Sequence, residues 1–388
     1  MVDAKEWIRL IFGLFPRQGD GCPPPMRILH VTKRYPWARG GDATAVYNLR
    51  RCQKANHEVF VLTPNCEAIE DAIKVGPPIE DLDRITVGRF LARFFLLGWG
   101  FRRLRDMRPD IIHSHSADLG FFISIPAHLY HIPIVNTCHG VSFPYPYGGR
   151  GKRSAERWLL KHGGFSNIIT VDWGSMGALE REGLNVTYVP NGIDLKAFGK
   201  KTNRVKGRSI EGTNVGKAFR FLFVGRLEEQ KGLRCLMEAV SRIRGDFKLS
   251  VVGDGSQMGF VRRWARGDGR VEVMGPVDDR RLLQLYGECG ALVLPSVWGG
   301  FPLVILEAWA SGLPVIASSV GSVPTICTDG TDALLVEPND AKGLAQAMRR
   351  LMVDEELRYA LAKGGLSTVK GYDWGKVARL TERVYRGV

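Results

Sequence analysis

From one end to the other, the chain alternates continuous apolar, β-rich runs with stretches of helical spacing. One series of runs comprises Arg27–Val31, Glu58–Thr63, Asp110–His113, Pro133–Thr137, Asn167–Val171 and Thr187–Val189. A second comprises Phe219–Val224, Lys248–Val252, Arg270–Met274, Ala291–Leu294, Val315–Ala317 and Ala333–Val336. Their apolar residues are consecutive, as in strands buried on both faces. Strands alternating with helices make parallel sheets covered on both sides. The fold class is therefore α/β, with two Rossmann-like doubly wound domains. Gly199–Lys217, between the two series, is polar, glycine-bearing and nearly free of large apolar residues. It reads as a linker. The expected division is an extension over 1–25, an N-terminal domain over 26–198, a linker over 199–217 and a C-terminal domain over 218–372. Two such domains facing each other leave an interdomain cleft, a common ligand site.

Composition narrows the function. With 388 residues and 45% hydrophobic content, the chain can build two substantial cores. No apolar run reaches the ~18–20 residues that span a bilayer. The cysteines at 22, 52, 66, 138, 235, 289 and 327 form no CxxC pair. An odd, dispersed set argues against a disulfide framework or a structural zinc, and fits a reducing cytoplasm. The net charge of +14 suits phosphates, an acidic membrane face or simply a solvated basic surface. No nucleic-acid recognition module is visible. Lys5–Phe15 (KEWIRLIFGLF) is a poor secretory signal, because acidic residues precede it and no clean cleavage site follows. Residues 1–25 read as a dispensable extension before a functional start at Met26, or else as a membrane-surface helix.

The C-terminal series carries the chemistry. In FRFLFVGRLEEQKG a buried strand ends at Gly225, and Arg226 and Lys231 follow. Ligands of open α/β sheets bind at that strand end. Arg226 can grip phosphate oxygens through its planar fork, and Lys231 adds a point charge. Two exposed cations at a helix start is the plainer alternative. In LVLPSVWGGFPLVILEAWASGLP a strand leads through a glycine pair into a helix, with Pro302 expected in its first turn. Gly312 and Pro314 end that helix. Gly300, Phe301, Pro302, Leu303 and Val304 then lie at a positive helix end suited to a diphosphate or sugar hydroxyls. Glu307, one turn in, can accept hydrogen bonds from a ribose or merely stabilise the helix.

These segments resemble, in order, those of the family 4 glycosyltransferases (glycosyl transferases group 1). The resemblance runs through MRILHVTKRYPWARGGDATAVYNL, PDIIHSHS, NTCHG, VPNGID, VGRLEEQKG, VVGDG, PSVWGGFPLVILEAWASGLPVIAS and GTDALLVEPND. It covers nearly everything from Met26 on. It implies a GT-B fold and the transfer of a sugar, with retention, from a nucleotide-diphosphate donor to an acceptor hydroxyl. The acceptor would be a glycan or a lipid-linked molecule. By the same resemblance Arg226 and Lys231 bind the diphosphate, Glu307 the ribose, Gly300–Val304 the diphosphate and sugar, and Val277 lies near the base. The final helix, over 373–387, crosses back onto the N-terminal domain. The family pattern E-x7-E is broken, because Gly299 stands where the first Glu, which touches the transferred sugar, is expected.

In the N-terminal half, Gly40 and Gly41 precede a helix expected to start near Asp42. Either they let the backbone approach a ligand, or they form a simple tight turn. His139 ends a buried strand, where a histidine is either structural or faces the cleft. The family resemblance assigns it to the donor sugar and the transition state. His113 and His115 in HSHS suggest a metal, but with no further ligand grouping the reading is no metal and no cofactor. Arg226 and Lys231 take the place of a divalent ion. RFFLLGWGFRRLRDMR (93–108) and RGKRSAERWLLKH (150–162) offer an amphipathic face to anionic lipid on the inner membrane surface, or pack one side and solvate the other. Two rival readings stay open: a non-catalytic nucleotide-sugar-binding scaffold, and a GT-B-fold epimerase. The latter needs acid/base carboxylates not seen here.

Overall fold

Each apolar run becomes a strand, the central ones buried on both faces, as the computed structural model shows. It describes residues 24–33, 35, 41–63, 72–74, 86–143, 149–199, 205–206, 209–210 and 218–388. Lys5–Phe15 and Gly40 lie outside the described residues. The first unit runs up to Gly192 and takes back Trp374–Val388, while the second holds Ile193–Asp373.

The first unit contains a seven-stranded parallel sheet. Its strands are β1 (Arg27–Val31), β2 (Glu58–Thr63), β3 (Ala72–Lys74), β4 (Ile111–Ser114), β5 (Ile134–Cys138), β6 (Asn167–Thr170) and β7 (Val186–Tyr188). Their spatial order is β3-β2-β1-β4-β5-β6-β7. That is a doubly wound sheet whose switch point lies between β1 and β4. Alternate residues supply two cores. Ile28, Ile111 and Val135 meet Trp374, Val377 and Leu380 of the final helix, Trp374–Arg386. Leu29, Ile112 and Ile134 meet Leu104, Leu119 and Ile123 on the other face. The sequence reading missed β3, and it started β4 one residue early. Asp110 instead sits at the strand edge, where its carboxylate accepts from the Arg27 N–H at 2.6 Å.

A short antiparallel hairpin, β8 (Val205–Lys206) and β9 (Ser209–Ile210), falls in the stretch expected to be linker. The second unit then builds a six-stranded parallel sheet from β10 (Phe219–Val224), β11 (Phe247–Val252), β12 (Val271–Gly275), β13 (Ala291–Leu294), β14 (Val315–Ser318) and β15 (Leu334–Val336). The order is β12-β11-β10-β13-β14-β15, with the switch point between β10 and β13. Phe221 and Phe223 pack under one set of helices, and Leu222 and Val224 face the other with Trp309 and Tyr286. Residues 193–198, expected in the first domain, belong here. Ile193 is buried in this core, Leu195 and Phe198 pack against it, and the Ile193 N–H donates to the Tyr372 carbonyl at 2.8 Å. No helix among the described residues is long and apolar enough to cross a membrane.

Candidate functional site

In a parallel sheet every strand ends on the same edge, so residues distant in sequence collect there. In the second unit Arg226 and Lys231 follow β10, Val277 follows β12, and Gly300–Glu307 follow β13, the neighbour of β10. Lys231 closes a single helical turn, Glu229–Lys231, and its stem passes Gly225 at the end of β10. The turn is stopped by Gly232 at φ 66°, and a side chain there would fall on the Pro295 carbonyl oxygen. Only glycine tolerates both demands. Neither Arg226 nor Lys231 is ion-paired among the described residues. Burial, and then the Arg226 charge, pull the half-buried Lys231 ammonium down to about 8. Ser296, just past β13, is buried with its hydroxyl unpartnered among the described residues. The edge therefore holds two cations without an ion-pair partner among the described residues, an arrangement that suits an anion rich in acceptor oxygens.

Glu307 lies in the helix Leu303–Ala310. The Tyr286 hydroxyl donates to its Oε2 at 2.6 Å. Burial raises its pKa, the Tyr286 hydrogen bond opposes that rise, and Asp279 adds to it. Oε1 takes no hydrogen bond among the described residues, so it remains an acceptor for a ligand hydroxyl. Pro302 stands just before the helix in extended backbone, not in its first turn. Its missing N–H costs nothing at either position. Gly321, at φ 57°, lets its loop lie against the Gly299 and Gly300 carbonyls. At Gly299 itself a side chain would meet nothing within 4 Å. The absent carboxylate is thus not a steric necessity. Val277 is half-buried and packs against the core that contains Leu285 and Trp309.

In the first unit the helix after β1 begins at Gly41 and runs to Gln53. His139 follows β5, half-buried, with its Nε2 3.2 Å from His115 Nδ1. His113 and His115 face the same side, as their spacing requires. The register then supplies what the sequence reading said was lacking: His30 pairs with His113 across β1 and β4. One ring nitrogen from each of His30, His113 and His115 lies within 4.8 Å of the others. All six ring nitrogens are nevertheless engaged in hydrogen bonds. A metal would have to displace them.

Residues 39–197 match the Glycosyltransferase Family 4 model and residues 218–354 the Glycosyl transferases group 1 model. The chain belongs to the family 4 glycosyltransferases. It is 27% identical over 402 residues to a glycogen synthase of Mycobacterium tuberculosis (strain CDC 1551 / Oshkosh), covering 93% of this chain and 94% of the relative. Its fold is similar to that of sucrose-phosphate synthase from Thermosynechococcus elongatus, with a TM-score of 0.74, 23% identity and coverage of 93% and 98% of the two chains. It is equally similar to Anabaena Alr3699/HepE in complex with UDP-glucose, with a TM-score of 0.74, 17% identity and coverage of 94% and 100%. The fold is thus GT-B, and the protein is a glycosyltransferase.

Two features of this family 4 enzyme were not read from its sequence. Tyr286 looks like a core aromatic, and only the packing of Asp279–Glu288 against Leu303–Ala310 brings its hydroxyl to Glu307. Asp118 binds Lys33 at 2.8 Å and Arg93 at 2.9 Å. Burial pushes its carboxyl up, but Lys33 and then Arg93 outweigh that and hold it at about 2. Arg93, grouped by sequence with a basic surface run, is therefore committed to Asp118.

Proposed function

We propose that the protein transfers a hexose from a nucleoside-diphosphate donor to an acceptor hydroxyl, with retention at the anomeric carbon. The observation that carries this reading is the Arg226–Lys231 pair at the carboxyl edge of the second sheet, neither of them ion-paired among the described residues. Arg226 forks onto phosphate oxygens, and Lys231 sits against the charge that grows as the diphosphate leaves. Together they do the work a divalent ion does elsewhere, so the reaction needs no metal. Glu307 Oε1 accepts from the ribose, with the carboxylate held by Tyr286. Val277 lies beside the base, Gly41 and Gly300–Val304 approach the diphosphate and sugar, and His139 meets the donor sugar. The UDP-glucose named for the Anabaena structure supports a donor of this class. Retention rests on the family resemblance.

A thermal-shift screen over nucleotide sugars, followed by a transfer assay with the best ligand, tests the proposal. Stabilisation by one nucleotide sugar together with turnover supports it. Stabilisation without transfer or hydrolysis would favour the scaffold reading instead.

A lipid-linked acceptor is supported by a run of rings across three helices of the first unit. Phe94 and Phe122 centroids lie 5.9 Å apart, Phe122 and Phe121 5.6 Å, and Phe121 and Trp158 5.3 Å. Phe94, Phe95, Phe101 and Trp158 are exposed, and Arg102, Arg103 and Arg105 share a helix with the first three. Rings beside cations suit an anionic lipid surface, with the protein cytoplasmic and peripheral. The thiols of Cys138 and Cys235 form no disulfide among the described residues, in keeping with a reducing compartment. Cosedimentation with phosphatidylglycerol vesicles should be lost on charge reversal of Arg102, Arg103 and Arg105. Unchanged cosedimentation sinks the lipid reading.

A further inference from the structure

Tyr286 carries a hydroxyl where phenylalanine would fill the same space. Its ring is fully buried in the core of the second unit that also holds Leu285, Ile305 and Trp309. A buried hydroxyl needs a partner, and this one has Glu307 Oε2 at 2.6 Å. Glu307 stands at the rim of that core. Ile305, Leu306, Ala308 and Trp309 around it on the helix are buried, while Glu307 itself is partly exposed. For packing alone, a phenylalanine and a leucine at these two positions would serve, since replacing both partners of a buried hydrogen bond by apolar groups is close to neutral. The pair therefore answers to a need other than packing.

Tyr286 has no exposed surface, so it acts on a ligand only through Glu307. Burial holds its phenol well above the usual range, and it stays a one-proton donor. That proton occupies Oε2 and fixes the carboxyl group in one orientation. Oε1 keeps its lone pairs, and its place is set before a ligand arrives. Tyr286 also bears on the charge. Burial draws Glu307 towards its neutral form, the Tyr286 hydrogen bond opposes this, and the Asp279 charge reinforces it. Both of these neighbours belong to the helix Asp279–Glu288. An ionised, fixed oxygen accepts from sugar hydroxyls and offers nothing to a sugar that lacks them.

We propose that Tyr286 is a positioning residue for the nucleotide: by occupying Oε2 it leaves Glu307 a single acceptor oxygen in a single orientation, and so makes the second unit select ribonucleotides over deoxyribonucleotides. The proposal rests on the reading of Glu307 as the ribose contact.

Titration calorimetry of UDP, ADP and GDP against their 2′,3′-dideoxy forms tests this without any turnover. For the nucleotide that binds, the dideoxy form should be weaker by about tenfold in the wild type. In Tyr286→Phe the ribonucleotide should weaken about threefold and the dideoxy form should not change, because the phenol matters only where a hydroxyl meets Glu307. The unchanged dideoxy affinity also shows that the variant keeps its fold. Equal weakening of both forms would make Tyr286 a packing residue and overturn the proposal, as would no change in either.

The ratio of the two affinities, followed from pH 7.5 to 5, gives a second readout. Titration of the phosphates and of Lys231 is common to both forms and cancels. The preference for ribose should fall as Glu307 takes up a proton, and in Tyr286→Phe, where the opposing hydrogen bond is gone, it should fall at higher pH. Superimposable profiles would overturn the proposal. A wild type that binds ribose and dideoxy forms alike would instead overturn the ribose contact at Glu307, and one that binds no nucleoside diphosphate would overturn the donor site itself.

Discussion

The two units share a strand order, yet their switch points are filled in opposite ways. In the first, β1 and β4 carry His30, His113 and His115, neutral and hydrogen-bonded to one another or to Gln53, Tyr385 and Thr137. In the second, β10 leads to Arg226 and Lys231, neither ion-paired among the described residues, and β13 to Ser296, whose buried hydroxyl has no hydrogen-bond partner among them. A buried polar group that is satisfied internally fixes geometry, whereas one left unsatisfied is completed by a ligand. The fold thus supplies the place, and the side chains decide whether it orients or binds.

The sharpest way to break this contrast is Lys231→Ala. It should lower kcat on the order of a hundredfold, as loss of one preorganised group at a developing charge does, with the melting temperature little changed. Wild-type turnover in that variant would end the donor-site assignment. Glu307→Leu should raise the Kd for a nucleoside diphosphate about tenfold, since the lost hydrogen bonds involve a charged acceptor; titration calorimetry reads this directly.

pH separates the two regions. Lys231, its pKa lowered to about 8, is charged below that value and neutral above it. The kcat/KM should therefore decline as pH rises through about 8, and Lys231→Arg should shift that decline to higher pH. The buried histidines act at the other end. Their folded pKa values lie below the unfolded one, so the unfolded state binds more protons as pH falls below ~6.5. Stability is full above that pH and is lost below it, by up to about 1.4 kcal/mol per pH unit for each histidine. Urea denaturation between pH 7.5 and 5 measures the slope, and a flat profile would mean the rings titrate freely.

The smallest effect is expected at Gly299→Glu. A side chain there meets nothing within 4 Å, so the melting temperature should shift by no more than a degree or two. Any gain or loss in sugar selectivity then reports what a carboxylate at that position does.

Much of the cation-bearing edge of the second sheet was legible because it is local. Gly225, Arg226 and Lys231 follow one strand within a single segment, and Glu307 lies one turn into the helix after another. What was not legible depends on partners far apart in the chain. Tyr286 reads as core until its helix packs on that of Glu307. Arg93 reads as surface charge until Asp118 arrives from the next helix. Residues 193–198 carry no linker composition, so only the burial of Ile193 reveals the second unit's core as their place.

The sequence by itself determined two doubly wound units and the strand ends that carry cations, because hydrophobic runs and glycine–cation turns are set by neighbours in the chain. It determined that His113 and His115 share a face, because strands repeat every two residues. Only the tertiary structure decided that His30, 85 residues before His115, completes their set and that Gln53 and Tyr385 cap it. Register between β1 and β4 comes from burying both faces of a sheet at once, a constraint written across the whole unit and not in any one segment.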